Sequence, residues 1–421
     1  MEIIYNYLKN VFQDIKQETK QNPSFVCVLL ILLTIPASLA VNNIALLALC
    51  ASVFINFKKQ NFGISKSVIL LILLYLLMLF SVLWTIDMKE TLKALPKEVA
   101  LLLIPIIFFF SLNFTKEQKT KLFKYYSHGM VAWTFFWIIK AVVKYLITKD
   151  SSVFFYHELV TKEVNAIHVS IYVSIAFFYF LTKKKKNFIY LSILLFVFII
   201  LLSSKNIIVV VTVLVLLYVL FYSGLVRRMK LYYILAVTFS FIMALSFGRI
   251  KERFEMEIEK NFTYVSESKA NKIEGVNTVN IAEAWKKEVF DPSDYFPGTA
   301  LRVYKFRMFL ELFQEDPVFW KGYGLNASKV KLREKADEYN LYVGYRDVNF
   351  HNQYVQNFAE LGFFGFLLLL AIVILNLKKS IKSKDFLHIA FSILMISLFF
   401  DIIFLMEAKR SNVLRFNVLH F

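Results

Sequence analysis

The sequence predicts an all-α integral membrane protein, and three features predict it. Hydrophobic residues fill 58% of the 421 positions, far more than in a water-soluble globular chain. Apolar runs long enough to cross a bilayer recur from one end of the sequence to the other. The basic charge, net +18, gathers in every second connection between those runs, as the positive-inside rule requires of a chain with a cytoplasmic N-terminus.

Taken in order, spans are predicted at 25–41, 44–57, 65–84, 99–112, 130–147, 166–181, 188–202, 207–226, 231–247, 354–377 and 386–406. That makes about eleven, with a twelfth in the C-terminal tail left open. The runs are too long and too uniformly Leu, Ile and Phe for the alternating strands of a membrane barrel. Lys58 and Lys59, then Lys116, Lys119, Lys121 and Lys124, then the four lysines 183–186, then Arg227, Arg228 and Lys230, then Lys378, Lys379, Lys382 and Lys384 mark the inner loops. A charge so distributed orients helices and gives no reason to expect a nucleic-acid partner. Cys27 and Cys50 both fall inside apolar runs, which suggests neither a disulfide framework nor a zinc site. Pro36-Ala37-Ser38-Leu39-Ala40 loosely resembles a signal-peptidase site, but the polar lead over 1–24 is long, so the first span reads as an uncleaved anchor.

The chain divides into helices over 1–247, one large extracytoplasmic cap loop over 248–352, and C-terminal helices with an outer tail over 353–421. Loops of that length are usually functional. The stretch 251–287 mixes charges with little apolar pattern, whereas Asp291-Pro292-Ser293-Asp294 and Pro297-Gly298 read as turns before a helix over 300–315. On that helix Arg302 projects with Phe306, Phe309 and Phe313, in the middle of an apolar stripe. A charge there needs a partner, an anion or the lipid headgroups toward which an arginine can snorkel. Arg307 shares a face with Glu311 and Gln314 and reads as a solvated ion pair.

Placed by depth, the ionisable residues of the spans collect at the outer end. Lys140 and Lys144, His168, Lys205 in the turn Ser203-Ser204-Lys205-Asn206, His351 with Glu360 about 14 Å below it, and Asp401, Glu407 and Arg410 form this set. Such groups are costly in a bilayer and face a polar cavity or a partner. Cations beside a neutral histidine suit a phosphate-bearing lipid substrate: positive groups stabilise a departing pyrophosphate while the imidazole takes a proton from an attacking hydroxyl. No Asp-x-Asp pair in the outer loops points to a metal.

Several motifs occur in a telling order: Ala300-Leu301-Arg302-Val303-Tyr304, Asp316-Pro317 before Gly322-Tyr323-Gly324, and His351-Asn352-Gln353-Tyr354 followed by Glu360, Gly362 and Gly365. Earlier come His168-Val169-Ser170-Ile171-Tyr172 and Ser203-Ser204-Lys205. In these the chain resembles the O-antigen ligase and polymerase superfamily of bacterial membrane glycosyltransferases, over roughly 168–410. The lysine at 205 departs from the arginine common there; it keeps the charge and loses the bidentate geometry.

The resemblance implies a GT-C-like fold in the bacterial inner membrane with an active site on the periplasmic side. It implies an undecaprenyl-pyrophosphate-linked glycan as donor and a metal-independent, inverting transfer that uses no cofactor. His351 would be the base, with Glu360 next in line; Arg302 and Lys205 would hold the pyrophosphate; His168, Tyr172, Asn352, Tyr354 and Arg410 would line the substrate. Lipid A core is the favoured acceptor, as in a ligase; a second lipid-linked repeat unit (a polymerase) and a protein hydroxyl (a protein O-oligosaccharyltransferase) are the alternatives. A flippase or exporter of lipid-linked sugars is the alternative of another class, although no internal repeat or Gly/Pro-broken helix pair is visible.

Overall fold

The structure is a computed structural model that describes residues 2–56, 66–110, 113–162, 164–183, 185–202, 204–246 and 277–401. Among the described residues the fold is all-α, with strand confined to one parallel pair, β1 (Asn277–Thr278) and β2 (Asp294–Tyr295).

The chain opens with α1 (Glu2–Gln21), which lies against the start of the longest helix, α7 (Lys116–Thr148). The Lys121 ammonium sits between Asp14, at 2.6 Å, and Glu18, at 2.5 Å. α2 (Ser24–Thr34) and α3 (Leu39–Ile55) form a hairpin, and the Asn42 amide donates back to the Ile31 carbonyl at 2.8 Å. α4 (Lys66–Phe80), α5 (Met88–Glu98, capped by Asp87) and α6 (Ala100–Phe110) follow. α7 begins on a capping box of Thr115 and Gln118. After the short α8 (Tyr156–Leu159) come α9 (Ala166–Thr182), α10 (Lys186–Leu201), α11 (Lys205–Leu217) with a π-turn over Tyr218–Tyr222, and α12 (Arg227–Ser246). α9 is buried nearly all round, which is why it reads as apolar on every face.

The cap holds α13 (Ile281–Lys286), α14 (Gly298–Glu315) and α15 (Ser328–Glu338) around its own core of Phe290, Phe296, Tyr304, Met308, Leu312 and Phe350. The predicted turn is present: the Asp294 N–H donates to the Asp291 carbonyl at 2.8 Å, and the buried Asp294 carboxylate takes Lys287 at 2.6 Å. α16 (Gln353–Ser383) and α17 (Phe386–Asp401) return to the bundle.

Every one of the eleven predicted spans contains a helix, yet among the described residues only Lys116–Thr148, Lys205–Tyr222 and Gln353–Ser383 are long and apolar enough to cross a membrane by themselves. Six further apolar helices are shorter. The first run, 25–41, is divided because the chain turns at Pro36 and Ser38 caps a new helix. That leaves α2 about 16 Å long.

Candidate functional site

The site forms where the cap meets α16. Inside α16 the backbone leaves helical geometry at Gly362, with φ 64° and ψ −163°. Into this break runs the segment 319–324. The Tyr323 N–H donates to the Ala359 carbonyl at 2.9 Å, the Gly324 N–H to the Glu360 carbonyl at 2.8 Å, and the Phe363 N–H to the Phe319 carbonyl at 2.8 Å. The two chains approach so closely that a Cβ on Gly322 or Gly362 would stand within 2.6 Å of the other's backbone. The glycines of the motif thus serve a backbone clasp. From the other side the corner between α4 and α5 grips the same segment. Trp84 donates to the Lys321 carbonyl at 2.7 Å, Thr91 to the Leu325 carbonyl at 2.8 Å, and the Asn326 amide to Glu90 at 2.7 Å.

Above the clasp His351 occupies a left-handed turn, φ 50°, its N–H donating to Asn349 Oδ1 at 3.1 Å. A non-glycine residue held there stores local strain of the kind that collects at functional sites. Asn352 then caps α16, its side-chain oxygen accepting from the N–H groups of Tyr354 and Val355. Burial pushes the His351 imidazole down to about 4, helped by the charges of Arg302 and then Lys305. The ring is neutral at pH 7 and can accept a proton. Arg302, on α14, and His351, before α16, are carried by different elements, and the charge of Arg302 is among those that act on the histidine.

Lys305 is the member that the sequence does not single out. It lies one turn beyond Arg302, wholly buried, with its ammonium donating to the Tyr345 carbonyl at 3.3 Å and lying 5.6 Å from the Tyr304 ring centre. The buried face of α14 is Ala300, Tyr304, Lys305, Met308 and Leu312, so the stripe of Arg302, Phe306, Phe309 and Phe313 is the half-buried side. The physical reason is that two faces of α14 are apolar, one built into the cap core and one packed on an aromatic cluster of Phe319, Phe350, Phe358 and Phe363. On that second face Phe309 meets Phe350 and Phe358, Phe313 meets Phe319, and Phe319 stacks on Phe363. Phe306, Phe319, Trp320 and Phe364 remain exposed along the edge.

Arg307 corrects another expectation. Its side chain is only 11% exposed and ties the cap together, donating to Glu311 at 2.7 Å, the Lys287 carbonyl at 2.8 Å and the Tyr339 hydroxyl at 3.2 Å. It is a half-buried clamp where the sequence suggests a solvated pair, because Tyr339 and the chain at Lys287 fold over its face.

Glu360 is buried below His351 and accepts from Gln356 and, at 3.3 Å, from Ser328. The buried Glu98 at the end of α5 interacts with it electrostatically. This second acid, and the whole α4–α5 corner, lack any sequence signal; a carboxylate at the polar–apolar border of α5 and α6 is the only trace. Lys205 starts α11, half-buried, after Ser204. His168 and Tyr172 are enclosed within the bundle on α9. Tyr354 is buried against Phe399 and Phe400. Lys140 donates to the Val160 carbonyl and Lys144 pairs with Glu158, so both are engaged by the connection between α7 and α9. Arg410 and Glu407 lie outside the described residues, as does the Asp401 side chain. Among the described residues no group of three or more His, Cys, Asp or Glu could hold a metal.

The family model described as O-antigen ligase matches residues 189–370. The resemblance to the O-antigen ligase and polymerase superfamily is borne out over that stretch. It includes Lys205, Arg302, Lys305, His351, Asn352, Tyr354 and Glu360 and the whole clasp, while His168, Tyr172 and Arg410 fall outside it. No curated protein and no solved structure matches the chain.

Proposed function

We propose that this protein is an O-antigen ligase-like glycosyltransferase of the bacterial inner membrane that transfers a glycan from an undecaprenyl-pyrophosphate donor to an acceptor hydroxyl, that of lipid A core being favoured. One observation carries the reading: a neutral histidine in a strained turn lies within the electrostatic reach of Arg302 and Lys305, inside the stretch that matches the O-antigen ligase family. The proposal keeps about eleven spans, a cytoplasmic N-terminus and a cap on the outer face.

In the proposed reaction Arg302 pairs with the donor pyrophosphate, with Lys205 adding charge, and His351 accepts the acceptor's hydroxyl proton. The oxygen attacks the anomeric carbon from the face opposite the leaving group, forming a new glycosidic bond. The bond from that carbon to the pyrophosphate breaks, and undecaprenyl pyrophosphate leaves with the electron pair, so the anomeric configuration inverts. Arg302 offers a planar fork that matches two phosphate oxygens, and its charge grows in value as negative charge develops on the leaving group. The edge of Phe306, Phe319, Trp320 and Phe364 provides an apolar course from Arg302 to the face of α16 for the donor's lipid chain. Asn352, Tyr354, His168, Tyr172 and Arg410 remain the proposed substrate contacts, with Asn352 also accounted for as a helix cap. Repeat-unit polymerisation, protein O-glycosylation and export of lipid-linked sugars are the other outcomes of the test.

The test is transfer by the purified protein from a defined undecaprenyl-pyrophosphate-linked glycan to a panel of acceptors. His351→Ala should fold and bind donor while transfer falls by about 10²-fold or more, the usual worth of a general base. If His351→Gln preserves turnover, the imidazole only positions substrate and the base is sought at Glu360. Normal turnover by His351→Ala ends the enzyme reading of this site and favours the exporter.

A further inference from the structure

A left-handed turn at a non-glycine residue persists only where its surroundings over-determine it, and His351, at φ 50°, stands in such a turn. Part of what holds it is local: the His351 N–H donates to Asn349 Oδ1 at 3.1 Å, and Phe350 is buried in the cap core against Phe309. A further hold comes from one helical turn inside α16. There the buried Gln356 side chain accepts from the Phe350 N–H through Oε1 at 3.3 Å. Its Nε2 donates to the Glu360 carboxylate and, at 3.2 Å, to the Ser328 hydroxyl, which itself donates to Glu360 at 3.3 Å. One amide therefore joins the residue before His351 to a buried acid on α16 and to the start of α15.

Burying an amide is costly unless its polar ends are bonded, and α16 does not need this one for its own ladder, which runs here from the Gln356 N–H to the Asn352 carbonyl at 2.9 Å. The use of the side chain lies in what its two ends hold. Glutamine suits the task because it carries an acceptor and two donors on one planar group, whereas an ionised glutamate lacks the donors and methionine offers no donor and only a weak acceptor.

We propose that Gln356 is a positioning residue for the transfer reaction: it bridges the Phe350 backbone to Glu360 and Ser328, and so fixes the turn from which His351 meets the acceptor hydroxyl. The inference rests on the reading of His351 as the base. Glu360 then serves as the anchor of the bridge. A base must stand within hydrogen-bond reach of the proton it takes, and a displacement of about 1 Å can cost on the order of 10²-fold in rate. Losing the bridge frees the strained turn to relax, and the ring moves with it.

The experiment places Gln356→Met in the wild-type and the His351→Ala proteins. Methionine keeps the length of the side chain and removes the bridge, and melting curves recorded beside transfer put each rate on a folded-molecule basis. In the wild-type background kcat should fall by about 10- to 100-fold, while KM for a defined undecaprenyl-pyrophosphate-linked glycan stays within about threefold. In the His351→Ala background the same substitution should cost nothing further, because a residue that acts through the base has nothing left to position. Hydrogen exchange over residues 349–352 should quicken in Gln356→Met, a readout that needs no turnover. If methionine compromises folding, Gln356→Asn, one methylene shorter, reads the same quantities. A wild-type kcat, an unchanged exchange rate, or a loss as large in His351→Ala as in the wild-type background overturns the proposal and leaves His351 as the base. Full transfer by His351→Ala alone overturns the base reading and this proposal with it.

Discussion

Replacing Gly362 with alanine tests the junction on which the site stands. The residue sits at φ 64°, ψ −163°, a conformation essentially reserved for glycine and costing about 1–3 kcal/mol for any other residue. The new Cβ would also stand 2.3 Å from the Trp320 carbonyl carbon and 2.4 Å from the Lys321 nitrogen, and only a backbone movement can relieve such a contact. That movement strains the bonds from Tyr323 to Ala359, Gly324 to Glu360 and Phe363 to Phe319, each worth about 0.5–1.5 kcal/mol. The combined loss is on the order of 3–7 kcal/mol, a large share of any domain's stability. Thermal unfolding in detergent should shift sharply, and trypsin should cut after Lys321, which the clasp otherwise holds. Gly344→Ala is the control: its Cβ would meet only the exposed Tyr342 ring, which can swing away. A Gly362→Ala protein with wild-type melting, protease resistance and transfer would refute the clasp as the support of Glu360 and His351.

Two further outcomes follow from the same geometry. Arg302→Ala should weaken donor use by about 10- to 100-fold, the worth of a charge-assisted hydrogen bond, with Arg302→Lys in between; Arg307→Ala should lower the melting temperature with little effect on turnover per folded molecule, and steady-state kinetics beside melting curves will show whether the two roles are reversed. Stability should depend on pH through two groups held below their ordinary values, His351 at about 4 against 6.5 and Lys305 at about 7 against 10.5. In each window the unfolded chain binds more protons, so stability falls as pH drops from about 6.5 toward 4 and rises as pH climbs from about 7 toward 10.5. Melting curves of His351→Ala should lack the first dependence and those of Lys305→Met the second; parallel curves for wild type and variants would contradict the assignments.

The sequence by itself determined the helical class, the positions of the apolar runs, the helix that carries Arg302 and the histidine at the head of α16. These follow from composition, from helical periodicity and from turn residues, all of which act over a few neighbouring positions. It also contained the glycines at 322 and 362 without revealing that they touch, because a close approach between segments forty residues apart leaves no periodic trace. Only the tertiary structure decided that Arg307 is a clamp and Lys305 a buried cation near His351. Periodicity marks which residues share a face of α14, but which of its two apolar faces turns toward the cap core depends on what packs there. Glu98 makes the same point from farther away. A carboxylate at the end of α5 looks like any helix-terminal acid until the fold buries it within electrostatic reach of the equally buried Glu360, and burial is a property of the assembled chain that no local stretch of sequence carries.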